Sequence, residues 1–349
     1  MMRVETDGPM ITFIDESGSF AGVGKPNAVS CVGALSIPHA NLPGLTKLWT
    51  RLRRTLPTDK GEVKGRLLSE NQVAQVADII RKNQGLFEIT AIDLGAHSEA
   101  GLLAHRADLA DKLVARLGPE HHENVHKTLN RWRTELLAMK LPGYVQSTLT
   151  FDLLARVMDH STLYHCQRNP KELGNFVWVV DAKDSGSIQT PWEKWWQNVM
   201  LPTLQSRSLR EPMAYLAEGD YRYFDRYNSK EGLPDWLIEA GNLTLKGDEP
   251  KPLDLRAIFS DLRFSSANEM GLELVDILTN GVRRALLGNL QPEGWLPIRS
   301  LMIHRSQQYI TLVSMNGDEG YEMTYTPVLR KFMKGGRQMI TAGHVWATE

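Results

Sequence analysis

Short apolar runs and amphipathic segments follow one another in the N-terminal part of the chain. Residues 10–15 (MITFID) and 29–37 are apolar and rich in β-branched side chains, which predicts two buried strands. Residues 86–94 predict a third strand by the same criterion. Two helices are predicted between the second and third strands, over residues 45–56 and 69–82, the latter with Ser69 as its N-cap.

The middle of the chain is predominantly helical in its pattern. Residues 98–167 keep helical spacing almost throughout, and Pro119 and the Pro142–Gly143 pair divide them into about three helices. Residues 176–181 (FVWVVD) then predict another buried strand. A helix is expected to begin at Thr190–Pro191, where the first residue can cap it, and to end near residue 204.

The remaining elements are a strand, a long helix and a C-terminal extension. Residues 255–264 predict the last strand of the core, and Ser266 is the expected cap of a helix over residues 268–287. A β-hairpin is predicted around Asn316–Gly317, because this dipeptide favours a tight turn, and a short basic helix follows it.

This order of strands and helices predicts an α/β fold, an open mixed sheet with helices on its faces. A main domain is expected over residues 1–300, and residues 301–349 form the extension with the hairpin and the basic helix. Residues 219–252, rich in Gly, Pro and charged side chains, are interpreted as a loop insertion.

Composition narrows the class of protein. The chain has 349 residues, 42% of them hydrophobic, so it is long enough to bury a sizeable core. It contains no uninterrupted apolar span and no signal peptide pattern, and its two cysteines provide no disulfide framework, so a cytoplasmic protein is expected. A net charge of −1 excludes a strongly basic nucleic-acid-binding surface. The local basic cluster Arg51, Arg53 and Arg54 is interpreted as solvated surface charge, with a local phosphate-binding patch as the alternative.

Carboxylates end two of the predicted strands. Asp15 and Glu16 end the first strand, and since side chains alternate across a strand, only one of them enters a given cleft; Asp15 is the candidate. Asp181 ends the strand over residues 176–181. Ligands of open α/β sheets bind outside the carboxyl ends of strands, so Asp15 and Asp181 would share one edge if their strands are neighbours. The alternative is that each strand ends in a polar residue because it meets water.

The late helix has a narrow acidic stripe on an otherwise apolar surface. Carboxylates on such a helix are costly to bury unless they are paired or bind metal, which makes the stripe a candidate metal-binding face. The alternative is a narrow solvent-facing stripe. Its members fall within a sector about 60° wide and are Glu269, Glu273, Asp276 and Asn280.

A further carboxylate and a lysine lie close together in the segment GEVKG, as Glu62 and Lys64. The simplest interpretation is a surface ion pair in a loop. If these groups join the other carboxylates, the hard oxygen ligands favour Mg²⁺ or Mn²⁺ over Zn²⁺. A pair of such ions would activate water and stabilise the leaving oxygen in an in-line displacement at phosphorus.

Four sequence elements together resemble an uncharacterised family, domain of unknown function 3800, whose first strand ends in Ile-Asp-Glu-Ser-Gly. They are FIDESG at 13–18, EVK at 62–64, VWVVD ending at Asp181, and GLELVDIL at 271–278. The resemblance covers about residues 11–288 and implies an RNase H-like fold for the main domain, with the helices over about residues 98–140 as an insertion. It also implies that the acidic set consists of Asp15, Glu62, Asp181 and Asp276.

The chain departs from the family pattern in the late helix. Glu273 stands where the family usually has Gln, and Val275 where it usually has Ala. The extra negative charge of Glu273 predicts either another metal contact or a site that differs in detail.

The leading hypothesis is a Mg²⁺- or Mn²⁺-dependent nuclease that hydrolyses phosphodiester bonds of RNA or DNA. Asp15, Asp181 and Asp276 would hold metal together with Glu273, and Glu62 would complete the catalytic set with Lys64, which would contact a phosphate or orient Glu62. Two alternatives stay open: an RNase H-like module that binds nucleic acid or protein without cutting, and a small-molecule phosphohydrolase. Nucleic acid is the expected partner, a membrane is not, and a second copy of the chain or a partner protein of a defence system is compatible with the family resemblance.

Overall fold

The computed structural model describes residues 8–182, 191–211, 213–229, 252–318 and 320–339. Six strands form one mixed sheet in the order β5-β4-β1-β2-β3-β6. β2 is antiparallel to β1 and to β3, whereas β4 is parallel to β1 and β5, and β6 is parallel to β3. The predicted α/β class with a mixed sheet is therefore confirmed. The strands are β1 (Met10–Ser17), β2 (Val29–Ile37), β3 (Leu86–Asp93), β4 (Phe176–Asp181), β5 (Leu262–Ser265) and β6 (Ile310–Leu312).

Helices cover both faces of this sheet. Those that precede β4 are α1 (Leu42–Arg53), α2 (Glu70–Lys82), α3 (Glu99–Val114), α4 (Glu123–Ala138) and α5 (Leu141–Arg168). Those that follow it are α6 (Pro191–Trp195), α7 (Leu201–Arg210), α8 (Leu255–Ile258), α9 (Met270–Leu286), α10 (Pro292–Trp295) and α11 (Thr326–Phe332), with a π-helical turn at Trp196–Met200 between α6 and α7. Within the described ranges, no helix combines the length and the apolar character that a membrane crossing requires.

Alternating side chains of the strands divide the core into two layers. Phe13 of β1 and Val179 of β4 pack with α1, α2 and α9 on one face. Ile14 and Val180, the next residues along the same strands, pack with α5 and the α6–α7 region on the other face. Each strand thus presents a known face to α9, which fixes where polar residues at the strand ends can point.

Helix α9 packs closely on the sheet because glycines lie at the contact between them. A Cβ at Gly33 of β2 would collide with the hydroxyl of Thr279, and a Cβ at Gly271 of α9 itself would collide with the ring of Phe13. The absence of these side chains lets the helix approach β1 and β2 directly. Polar residues of α9 are therefore held next to the carboxyl end of β1.

Most strand predictions agree with the structure, and so do the three helices α3–α5 over the segment 98–167. The cap of α2 is also as predicted: Ser69 and Gln72 form a capping box.

Three local predictions are wrong. The strand found here is Leu262–Ser265, which overlaps only the end of the predicted segment 255–264, because Asp254 caps the short helix α8 over the first residues of that segment. The N-cap of α9 is Glu269 rather than Ser266. The predicted hairpin around Asn316–Gly317 is not found among the described residues, where β6, the strand before this turn, pairs in parallel with β3 as the sixth strand of the main sheet.

The predicted insertion and extension are described in part. Of the loop 219–252, residues 230–251 lie outside the described residues, and the described portion includes a 3₁₀ turn at Asp225–Tyr227. Residues 340–349 of the C-terminal segment also lie outside them. The basic helix predicted there is confirmed as α11, which carries Arg330 and Lys331 in its last turn.

Candidate active site

Asp15 and Asp181 lie on neighbouring strands and face the same helix. Phe13 and Val179 are partners in the parallel register of β1 and β4, and both pack on the α9 side of the sheet. Asp15 and Asp181 each follow two residues later, so alternation along the strands turns both carboxylates toward α9. Asp15 is only 8% exposed and accepts a hydrogen bond of 2.7 Å from the N–H of Glu16 through Oδ1.

Helix α9 brings the third carboxylate to the same edge of the sheet. Asp276 accepts a hydrogen bond from the N–H of Gly65 through Oδ2 at 2.7 Å. The backbone of Gly65 lies so close to α9 that a Cβ there would come within 2.8 Å of the Cβ of Asn280 and 2.9 Å of the Cα of Ile277. Asp276 is thereby linked to a loop that approaches α9 from the α1–α2 connection.

That loop, residues 59–68, is called the strap below, and it carries Glu62 and Lys64. It begins with a tight turn in which Lys60 and Gly61 have φ angles of 52° and 84°. The backbones of Asp59 and Glu62 exchange two hydrogen bonds, of 2.8 and 3.0 Å, across this turn, as in a two-residue β-turn with left-handed central residues. Beyond the turn, Lys64 Nζ forms an ion pair of 2.5 Å with Glu62 Oε2.

The five side chains predicted to be catalytic act on one another electrostatically. Burial lowers the pKa of Lys64, but its hydrogen bond to Glu62 and the charges of Asp276 and Asp15 outweigh burial and raise the pKa above its usual value. Asp181 interacts with the same lysine and with Glu62 and Asp276. The set Asp15, Glu62, Asp181, Asp276 and Lys64, called the carboxylate cluster below, thus occupies one neighbourhood.

The carboxylate cluster has an excess of negative charge. Burial, together with repulsion from Glu62 and Asp276, raises the pKa of Asp181 to about 6 although Lys64 opposes the change. Burial and the charge of Glu62 likewise raise the pKa of Asp276, against the hydrogen bond from Gly65 and the charge of Lys64. The charges of Lys64 and, at Asp276, of Arg66 do not offset burial and the neighbouring carboxylates, and an additional cation would lower the protonation of Asp181 and Asp276.

Glu273, predicted as a metal ligand, has other partners. Its Oε1 and Oε2 each accept a hydrogen bond of 2.8 Å from the guanidinium of Arg53, and Oε1 also accepts one of 2.9 Å from the N–H of Val63. Because these contacts already use both oxygens, the structure gives no support to metal binding by Glu273. Of the cluster Arg51, Arg53 and Arg54, Arg53 is therefore not solvated surface charge but forms a partly buried pair, whereas Arg51 and Arg54 are exposed as predicted.

The fit of a divalent cation rests on charge and ligand type. Carboxylate oxygens are the ligands that Mg²⁺ and Mn²⁺ prefer, and the raised pKa values of Asp181 and Asp276 reflect uncompensated negative charge. Within the described part of the chain, no group of three or more His, Cys, Asp or Glu side chains is arranged to hold an ion in its present positions.

Several contacts at the site have no counterpart among the sequence predictions. Asn280, in the predicted acidic stripe, donates a hydrogen bond of 3.2 Å from Nδ2 to the hydroxyl of Ser17. Arg284 donates from Nη1 to the carbonyls of Gly65 and Leu68 at 3.0 and 2.8 Å. The sequence contains one signal for these contacts: Arg284 continues the polar stripe of α9 by one more helical turn beyond Asn280.

Searches of protein-family models, of curated proteins and of solved structures found no match to this chain. The resemblance to the Ile-Asp-Glu-Ser-Gly family therefore stays a prediction based on the sequence motifs, and the chemistry of the site must be inferred from its own geometry.

Proposed function

We propose that the protein is a metal-dependent nuclease that hydrolyses phosphodiester bonds of RNA or DNA at the carboxylate cluster. The observation that carries the proposal is the convergence of Asp15, Asp181 and Asp276, from two strands and a helix, around Lys64 and Glu62. Residues so far apart in the sequence meet at the carboxyl ends of parallel strands, where α/β proteins bind their ligands.

The strand arrangement supports the RNase H-like fold that the sequence motifs imply. An antiparallel β2 lies between β1 and β3, and β4 and β5 continue the sheet in parallel beyond β1. The motifs of the resembled family lie on its first strand and its closing helix, and here these elements are β1, which carries Asp15, and α9, which carries Asp276. β6 is then an addition at the edge of the sheet.

Asp15, Asp181 and Asp276 would hold Mg²⁺ or Mn²⁺. When bound, such ions lower the pKa of water and stabilise charge on the attacking and leaving oxygens of an in-line displacement. The raised pKa of Asp181 means that its carboxyl binds a proton near pH 6 in the protein alone and must release it to become a ligand. Lys64 is half-exposed, which allows its ammonium group to contact a substrate phosphate while it remains paired with Glu62.

Replacement of single carboxylates tests the proposal. We expect Asp15→Asn and Asp276→Asn each to lower Mn²⁺-dependent cleavage of oligonucleotides by about 10³-fold, because each removes a charged ligand but keeps the shape of the side chain. Asp152→Asn is the matched control, since Asp152 is also mostly buried but pairs with Arg156 on α5. Cleavage at the wild-type rate by either cluster variant contradicts the proposal. Metal-independent binding of oligonucleotides without cleavage, with a steep salt dependence, would indicate a binding module instead.

A small phosphorylated molecule is a second candidate substrate, favoured by the charges beside the cluster. Arg53, Lys64 and Arg66 are ion-paired with Glu273, Glu62 and Asp59 respectively. Pairing leaves these groups less positive charge to offer to an extended phosphate backbone. A comparison of mononucleotides and other phosphate esters with oligonucleotides as substrates separates the two candidates.

A further inference from the structure

The pair formed by Arg53 and Glu273 joins the end of α1 to the first turn of α9. The residues are 220 positions apart in the sequence, and their side chains form two parallel N–H···O hydrogen bonds of 2.8 Å each. Glu273 is 6% exposed and Arg53 32%, so water screens the pair only from one side. A two-point, partly buried pair of this kind holds its partners in one relative orientation.

Both members of the pair also bind the backbone of the strap. Arg53 Nη2 donates to the carbonyl of Gly61 at 2.6 Å, and Glu273 Oε1 accepts from the N–H of Val63 at 2.9 Å. The carbonyl of Gly61 accepts a second hydrogen bond, of 3.0 Å, from Asn268 Nδ2. Arg53 and Glu273 therefore hold the strap on either side of Glu62.

The direction of Glu62 and Lys64 follows from this attachment. Val63 lies between them and is completely buried, with its N–H bound to Glu273. In an extended segment, the neighbours of a residue that points inward point the opposite way. Fixing Val63 against α9 consequently turns Glu62 and Lys64 together toward the strand ends, where Lys64 interacts with Asp15 and Asp276.

We propose that Arg53 and Glu273 are a positioning pair that seats the strap on α9 and so keeps Glu62 and Lys64 in the carboxylate cluster. The catalytic part of this inference rests on the proposed function. The pair takes no part in the chemistry, and its effect reaches the substrate only through Glu62 and Lys64. Catalytic groups displaced by about 1 Å lose as much as 10²-fold in rate, so an unseated strap is costly even in a folded protein.

Amide hydrogen exchange of the full chain tests the attachment without any need for activity. We expect Arg53→Met to increase the exchange rate of peptides that cover residues 59–68 by about tenfold, while peptides from the β-sheet keep their protection. Glu273→Gln should give a smaller increase, because the amide oxygen still accepts from Val63. The matched control is Arg156→Met, which removes an ion-paired arginine of similar exposure (29%) from α5, away from the strap.

Steady-state kinetics of the same variants test the positioning. We expect Arg53→Met to lower kcat for Mn²⁺-dependent cleavage by about 10-fold to 100-fold, and free guanidinium ion in the buffer to restore part of the loss. A purely structural role would lower thermal stability and leave kcat and the guanidinium response unchanged. Arg156→Met should leave kcat at the wild-type value.

The outcomes separate this inference from the proposed function. Wild-type exchange of residues 59–68 in Arg53→Met overturns the positioning pair, whatever the activity. Faster exchange with a wild-type kcat also overturns the positioning role, because the strap would then be detached from α9 without any effect on the rate of cleavage. The wild-type protein could also cleave no phosphodiester while Arg53→Met still exchanges faster over residues 59–68. That result would support the attachment of the strap by Arg53 and Glu273 and would disprove the nuclease proposal.

Discussion

Two groups of buried charge in this protein are built in opposite ways. The first is the carboxylate cluster at the strand ends. The second lies between β3, α5 and the segment after α10, where Glu88, 4% exposed, accepts hydrogen bonds of 2.9 and 3.2 Å from the guanidinium of Arg305. His160 Nδ1 lies 3.1 Å from Glu88 Oε1. Burial alone would raise the pKa of Glu88, but the charges of Arg305 and His160 outweigh it and lower the pKa to about 2.

The carboxylate cluster contains more acid than base. Burial raises the pKa of Asp181 to about 6, because Lys64 is shared among several carboxylates. Glu88 is more deeply buried than Asp181 and yet has the lower pKa, so the number of cationic partners and not burial decides the protonation state. The fold thus favours the ionised form of Glu88 over its neutral form, whereas it disfavours the ionised forms of Asp181 and Asp276, a cost that a bound cation can reduce.

The largest effect on stability is expected at Glu88. Glu88→Gln leaves the buried Arg305 without its counter-charge, and we expect it to lower the free energy of unfolding at pH 7 by about 3 to 5 kcal/mol. Urea unfolding, followed by circular dichroism, measures this difference. Asp78→Asn, which breaks an exposed pair on α2, is the control and should cost less than about 1 kcal/mol.

The difference in stability between the wild-type protein and Glu88→Gln should depend on pH. The folded-state pKa of Glu88, about 2, lies below its usual value of 4.5, so its contribution is complete above pH 4.5 and is lost as the pH falls toward 2. The difference between wild type and Glu88→Gln should therefore shrink below pH 4.5. A difference that stays constant down to pH 3 would show that the pairing with Arg305 is not the source of the stability.

At Asp181 the pH dependence of stability is expected to have the opposite sign to that at Glu88. Because its folded-state pKa is raised from 3.8 to about 6, the folded protein binds the proton more tightly than the unfolded chain does. Stability is therefore lost as the pH rises from 3.8 to 6, and the full cost is present above pH 6. Asp181→Asn removes the charge, and with allowance for solvent screening we expect it to stabilise the metal-free protein at pH 7 by about 1 to 2 kcal/mol.

Thermal unfolding at several pH values in the presence of a chelator tests this expectation. The gain from Asp181→Asn should disappear near pH 4, where Asp181 of the wild-type protein is already protonated. Asp152→Asn, at a carboxylate whose charge is compensated by Arg156, should be neutral or destabilising at the same pH. If Asp181→Asn destabilises the protein at pH 7, the carboxylate cluster is not short of positive charge and the contrast with Glu88 fails.

The sequence predicted correctly those strands and helix ends that are determined by residues within the element itself. The apolar runs that end in Asp15 and Asp181 gave the strands, and Ser69 gave the start of α2, since each signal lies within the element that it specifies. The Asn316–Gly317 dipeptide predicted a hairpin because it permits a tight turn. Asn316 does have a positive φ of 56°, but the preceding strand pairs with β3 instead. A turn signal fixes the turn and leaves the choice of partner strand to the rest of the fold.

The contacts that the sequence did not predict are long-range. Glu273 was grouped with Asp276 because both lie on the polar stripe of α9, and periodicity alone cannot separate a carboxylate that binds Arg53 from one that faces the strand ends. The separation depends on the strap, whose path is set by Gly65 and by the turn at Lys60–Gly61. No periodic pattern encodes such a path, which is why the convergence of the carboxylates was a hypothesis until the fold was known.

The smallest expected effect concerns Lys64, the ammonium group among the carboxylates. Lys64→Met removes a positive charge that competes with a cation, so we expect Mn²⁺ to bind about threefold to tenfold more tightly, measured by isothermal titration calorimetry. The same variant should cleave more slowly if Lys64 contacts the substrate phosphate. Tighter metal binding with slower cleavage would distinguish a lysine that serves the substrate from one that only neutralises carboxylates.

Arg66→Met is the control for Lys64→Met, because Arg66 also acts on the charge of Asp276 but is more exposed and is paired with Asp59. It should change Mn²⁺ affinity less than Lys64→Met does, since water screens its charge. Equal effects of the two variants would mean that Mn²⁺ senses only the overall charge of this surface, and weaker binding by Lys64→Met would mean that Lys64 helps to build the cation site. In either case Lys64 would not compete with the cation, and the raised pKa values of Asp181 and Asp276 would not be evidence for a metal site.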